Sequence, residues 1–141
     1  MLQRIQTVFF ILILFLAAGL FFFPLYTVEV PNQFERSFYV LDQLSLLLAT
    51  IFIIVFTGIN IFLFRNRPFQ MKLGWLTFLL IAVLTILIRL TFREASNDAE
   101  NFIFTAHFYA YTPFLMLIFK VLAIYFIKKD EQLVRSADRF R

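Results

Sequence analysis

The chain has 141 residues, of which 62% are hydrophobic, with a mean hydropathy of +0.85 and a formal net charge of +4. That composition lies well above the roughly 45–50% apolar content of soluble domains, so lipid must solvate part of the surface. Cysteine is absent and His107 is the single histidine, which excludes disulfides, thiolate metal sites, iron–sulfur ligation, cysteine acylation and a bis-histidine haem from one chain.

Residues 5–28, 43–64, 73–88 and 101–119 carry no Asp, Glu, Lys or Arg. Apolar runs of about 18 residues or more read as membrane-spanning helices. The first span is expected at 5–25, with Pro24 near its exit. Ala17-Ala18-Gly19 is a weak signal-peptidase site, but the apolar run continues through Phe21-Phe22-Phe23, which favours an uncleaved helix.

The second span is expected at 42–64. Asp42 opens it, and Asp42, Ser45, Ala49, Phe56 and Asn60 fall on one helical stripe that should face the other helices. The third span is expected at 71–92, with Arg89 near its end. Arg89 can snorkel toward the depth of Asp42, so an ion pair between them is geometrically possible, and the two read as a structural clamp or as interfacial anchors. The competing reading is a transport or proton-relay pair.

The fourth span is expected at 106–127, with Pro113 kinking it near Tyr111-Thr112. His107 lies at its start beside Tyr109 and Tyr111, where rings form an interfacial belt. Lys120 is the most unusual residue, inside the span and two turns short of Lys128. It either snorkels to the headgroups or meets a carboxylate of a partner subunit. Asn60 and Thr57 are the nearest polar residues by depth. His107 and Lys120 differ by about 220° around the helix and should not form one site.

Arg4, Arg65, Arg67, Lys72, Lys128, Lys129, Arg135, Arg139 and Arg141 collect on one side of this threading, against Arg36 and Arg93 on the other. The positive-inside rule then puts both chain ends in the cytoplasm of an inner-membrane protein. Basic residues at the ends of apolar runs address anionic lipid rather than nucleic acid. The tail 128–141 has an apolar stripe of Leu133, Val134, Ala137 and Phe140, and reads either as an interfacial continuation of the fourth span or as a docking surface for a cytoplasmic partner.

With 22 phenylalanines, 3 glycines and no Gly-x-x-x-Gly motif, the helices should pack through large side chains. Short connections favour an all-α, up-down-up-down four-helix bundle in a single domain, followed by a short amphipathic tail helix. No nucleophile elbow, phosphate loop or metal motif occurs, so no catalytic residue, metal or cofactor is expected.

The opening Met1-Leu2-Gln3-Arg4-Ile5-Gln6-Thr7 and the closing segment Lys128-Lys129-Asp130-Glu131-Gln132-Leu133-Val134-Arg135-Ser136-Ala137-Asp138-Arg139-Phe140-Arg141 resemble those of an uncharacterised family of small four-helix inner-membrane proteins of Bacteroidota, a domain of unknown function. The resemblance implies a membrane protein whose distinctive segments are cytoplasmic, and no activity. Gln3, Arg4, Gln6, Lys128, Lys129, Asp130, Glu131, Arg135, Asp138, Arg139 and Arg141 are therefore the expected cytoplasmic contact residues.

Three functions fit these features. The first is a non-enzymatic accessory or scaffold subunit of a larger membrane assembly, with a membrane or cytoplasmic protein as partner. The second is a small transporter or channel-like protein using a polar path near Asp42, Asn60 and Lys120. The third, a membrane enzyme, requires Asp42, Arg89 and His107 to converge on one pocket.

Overall fold

The computed structural model describes residues 2–29, 35–63, 66–97 and 103–139. Four helices dominate: α1 (Leu2–Phe22), α2 (Leu44–Phe62), α3 (Arg67–Asn97) and α4 (Thr112–Arg139). All four are long and apolar enough to cross a membrane, and at most 39% of any apolar window is buried inside the chain. The remaining apolar surface has no protein cover, and lipid is the solvent that suits it.

The buried positions follow one rule. They are Gln6, Phe10, Ile13, Ala17 and Leu20 on α1, and Leu46, Thr50, Ile53, Thr57 and Asn60 on α2. On α3 they are Gln70, Gly74, Thr77, Ile81, Leu84, Ile88 and Thr91, and the central ones on α4 are Met116, Lys120, Ala123 and Ile127. Steps alternating between four and three residues give the 3.5-residue repeat of left-handed coiled-coil packing. α1 packs on α2 and α4, and α3 packs on α2 and α4, closing a four-membered ring.

The inward stripe differs from the one expected on α2. Asp42 precedes the helix in a 3₁₀ turn (Val40–Asp42), and Ser45 is exposed. Thr50 and Thr57 face inward instead, and Phe15, Phe22 and Phe62 face out at 75%, 77% and 80% exposure. Small and hydroxylated residues fit between close helices, whereas phenylalanine costs nothing against lipid. Most of the buried hydroxyls satisfy themselves locally. Thr50 donates to the Leu46 carbonyl (2.8 Å), Thr77 to Leu73 (2.7 Å) and Thr91 to Ile88 (2.9 Å).

The connections at one end form a three-stranded antiparallel sheet that the apolar pattern had concealed. β1 (Tyr26–Glu29) lies between β2 (Arg36–Phe38) and β3 (Ile103–Ala106), with Thr27 opposite both Ser37 and Thr105. The sheet ties the α1–α2 connection to the α3–α4 connection and pairs the backbone groups of the connections themselves, extended by Leu25 N–H to the Phe38 carbonyl and His107 N–H to the Leu25 carbonyl. Residues 106–111 accordingly belong to β3 and a second 3₁₀ turn (Phe108–Tyr111), and α4 begins only at Thr112. Pro113 sits in its first turn, where a missing N–H breaks no helical bond, so it starts the helix instead of kinking it. α4 then runs unbroken into the expected tail.

At the same end Gly19 meets the ring of Tyr109, where an added Cβ would lie 2.7 Å from Cε1, and Phe23 stacks on that ring at 4.2 Å. This close approach uses a single glycine without the paired motif.

Candidate functional site

The opposite end of the bundle, where α1 begins and α4 runs out, holds a layer of polar side chains inside the core. Each helix contributes: Gln6 from α1, Thr57 and Asn60 from α2, Gln70 from α3 and Lys120 from α4, at 5%, 0%, 0%, 3% and 0% exposure. The heptad phase of each helix turns these positions inward whatever their polarity, because the neighbouring apolar positions already fix the face.

α2 and α3 are joined there by a reciprocal pair. Gln70 Nε2 donates to the Asn60 main-chain oxygen at 3.0 Å. In the orientation that satisfies both neighbours, the Asn60 amide nitrogen donates to the Gln70 main-chain oxygen at 3.0 Å, and Asn60 Oδ1 accepts from Lys120 Nζ at 3.2 Å. Lys120 Nζ also lies 4.7 Å from the ring centroid of Phe10, a cation–π geometry. One amino group thus bridges α4 to α2 and to α1. Lys120 does not snorkel to the headgroups, as the aliphatic chain of a lysine usually does; Asn60 captures it first. No carboxylate of the described residues pairs with it. Two buried polar atoms of the layer, Gln6 Nε2 and Thr57 Oγ1, have no hydrogen-bond partner.

Arg67 and Asp130 close the layer toward the chain ends. The guanidinium meets the Asp130 carboxylate at 3.1 Å and also donates to its main-chain oxygen at 3.3 Å. This contact fixes α4 against α3 one turn past Phe126, just where the tail leaves the apolar bundle. Lys128 and Lys129 are exposed beside it.

The expected cytoplasmic contact residues therefore divide. Gln6 turns into the bundle and Asp130 is engaged by Arg67, so neither presents a free surface group. Glu131 is half-buried. The side chains of Gln3, Arg4, Arg135, Asp138 and Arg139 lie outside the described residues, as does Arg141 altogether.

The expected Asp42–Arg89 pair does not form. Asp42 Oδ2 accepts the Tyr39 N–H at 2.7 Å across its turn and faces a cavity with Arg36 and Glu94. Arg89 lines a different cavity beside α4. The 3₁₀ turn rotates Asp42 away from the α2 stripe on which the pairing rested. His107 Nε2 contacts Thr27 Oγ1 of β1 at 3.3 Å, and it lines neither the cavity of Asp42 nor that of Arg89.

Asn60 and Lys120 do meet, but Asp42 does not join them. Asn60 lies about 24 Å along α2 from Leu44 at ~1.5 Å per residue. At the sheet end Tyr26 is held over α3, its hydroxyl pushed above the ordinary tyrosine pKa by burial, against the opposing hydrogen bond to Thr91. Among the described residues no group of three His, Asp or Glu side chains comes together.

Gln70 and Arg67 had no signal beyond their place at a helix start. Their heptad phase relative to Gly74 and Thr77 is the pattern that identifies Gln70 as inward. The profile of a family described as a domain of unknown function, DUF4293, matches residues 2–140. No curated protein and no solved structure matches the chain.

Proposed function

The chain belongs to the DUF4293 family, and on that premise we propose that it is a multi-pass inner-membrane protein with both chain ends cytoplasmic, acting as a non-enzymatic accessory or scaffold subunit of a larger membrane assembly. The observation that carries this reading is the fixed exit of α4. Arg67 grips Asp130 by its side chain and its main chain, directly outside a layer that locks all four helices together. The last turns of α4 therefore project as a continuous, pre-organised helix bearing exposed Lys128, Lys129 and Gln132. A rigid presentation of this kind lowers the entropy that a partner must spend on binding. The basic side of the threading, with Arg67, Lys72, Lys128 and Lys129, is the same side.

Affinity purification of the tagged full chain in mild detergent tests the reading. A stoichiometric partner recovered with the full chain, and lost on deletion of 131–141, is the expected result. A clean monomer, or a partner retained without the tail, overturns it.

A second reading, a small transporter, draws on buried Lys120 and on the unpartnered Gln6 and Thr57. Between that layer and the sheet end lie Ile13, Ile53, Ile81, Leu84 and Met116, all buried, so a polar path would require the helices to separate. Ion or proton flux in proteoliposomes that disappears in Lys120→Met is the result that would favour it.

A further inference from the structure

Two cavities at the sheet end share Tyr26 as a wall, and their charges are sorted between them. The larger, about 260 Å³, holds Arg36 together with Asp42 and Glu94, so its cation already faces carboxylates of the same chain. The smaller, about 130 Å³, opens between α3 and the start of α4. Its walls are Tyr26, Ile88, Phe92, Ala110 and Phe114, and Arg89 is the one charged residue lining it. Arg89 is exposed, and no hydrogen bond or ion pair joins it to another described residue.

Depth adds a second constraint. Arg89 is the first charged residue after the uncharged run 73–88, so in a bilayer its guanidinium sits at the boundary between hydrocarbon and headgroups. Thr85 and Ile88 carry the cavity about one turn deeper, into the hydrocarbon. The mouth is flanked by exposed Tyr111 and Phe114. A largely apolar cavity that runs past an unpaired guanidinium at phosphate depth and reaches one turn below it is complementary to one amphiphile: an acyl chain entering from below, an anion on the guanidinium.

We propose that this cavity binds an anionic phospholipid, its phosphate on the Arg89 guanidinium and its upper acyl chain against Thr85, Ile88 and Phe114. The second cavity, with its own carboxylates, repels the same headgroup. The site rests on the membrane reading above, in that a bilayer must bring the lipid to this depth. It does not depend on any partner at the other end.

Native mass spectrometry of the detergent-purified full chain, titrated with phosphatidylglycerol or phosphatidylcholine of identical chains, tests the site. The wild-type chain retains phosphatidylglycerol about tenfold more strongly or better, because its phosphate carries a net charge to the guanidinium whereas that of phosphatidylcholine is offset by the choline of the same headgroup. Arg89→Gln, at an exposed position, abolishes the preference by weakening phosphatidylglycerol far more than phosphatidylcholine. Ala110→Leu fills the slot and weakens both lipids.

A preference that survives Arg89→Gln overturns the headgroup assignment, and unchanged binding in Ala110→Leu overturns the acyl slot. Inorganic phosphate separates a lipid site from a free-anion site: failure to displace phosphatidylglycerol supports the lipid, and full displacement refutes it. Carbonate extraction of the source membranes reports separately whether the chain is integral, so loss of the lipid site and loss of the membrane reading give different results.

Discussion

Replacing Asn60 by leucine removes the acceptor for Lys120 Nζ and the donor to the Gln70 carbonyl, and puts an apolar side chain of similar size in its place. Leaving a buried polar group unsatisfied costs about 1–3 kcal/mol. Coupling energies measured between membrane helices are smaller, averaging about 0.6 and reaching about 1.7 kcal/mol, because the unfolded state in lipid also finds partners. Asn60→Leu is therefore expected to destabilise the bundle by about 1–3 kcal/mol.

Lys120→Met orphans only the Asn60 oxygen, and at the same time removes a costly buried amino group, so its effect should stay within about 1 kcal/mol of zero. In the double variant both partners are apolar, and the loss should fall short of the sum by about 1–1.7 kcal/mol. Equilibrium unfolding in mixed micelles, followed by helicity, measures the cycle. The upper half of the membrane range is expected because both atoms are fully buried and Lys120 has no competing carboxylate. Additivity within about 0.3–0.5 kcal/mol, the behaviour of independent sites, would refute a contact between Asn60 and Lys120.

Three further outcomes follow from the same packing. Gly19→Val places its branched side chain on the Tyr109 ring that Phe23 already braces, and overpacking of this kind costs about 1–3 kcal/mol; Gly58→Ala, with open space around it, should leave the unfolding midpoint unchanged or slightly raised. Arg67→Ala releases α4 at Asp130, with a small stability loss of about 0.5–1 kcal/mol for a partly exposed pair, but a clear rise in protease cleavage beyond Asp130 in detergent. Because the chain has no cysteine, single cysteines report topology cleanly: Ser37→Cys should react with a membrane-impermeant maleimide in intact cells, and Lys129→Cys only after permeabilisation.

The four helices were legible as uncharged runs because the bilayer imposes a length that polar punctuation reveals. Their ends were less so. α3 extends to Asn97 and back to Arg67, since a helix need not stop where its apolar window stops. The sheet was hidden for a related reason: Tyr26-Thr-Val and Ile103-Phe-Thr continue the apolar runs, so their β-branched and aromatic character was indistinguishable from span.

The facing of each helix was the hardest feature. Hydrophobicity has no phase when nearly every residue is apolar, and the stripe drawn through Asp42, Ser45 and Ala49 followed polarity at a helix end that proved to be a 3₁₀ turn. Size was the better guide, with Ala17, Gly74, Thr50, Thr57 and Thr77 inward and Phe15, Phe22 and Phe62 outward, although Phe10 is buried against Lys120. Lys120 stood out from sequence alone, and Asn60 was named by depth as a neighbour. Gln6 and Gln70 were not recognised as core, because glutamine one turn inside a basic helix start looks like surface.

The end bearing the polar layer and the last turns of α4 is the surface proposed for a partner. A photoreactive amino acid placed at exposed Gln132, with a second placed at exposed Phe22 near the sheet end, tests it in native membranes. A discrete protein crosslink from position 132 that is lost in Asn60→Leu/Arg67→Ala, with only lipid adducts from position 22, is the expected result. Lipid adducts alone at position 132, or the same protein crosslink from both positions, would contradict it.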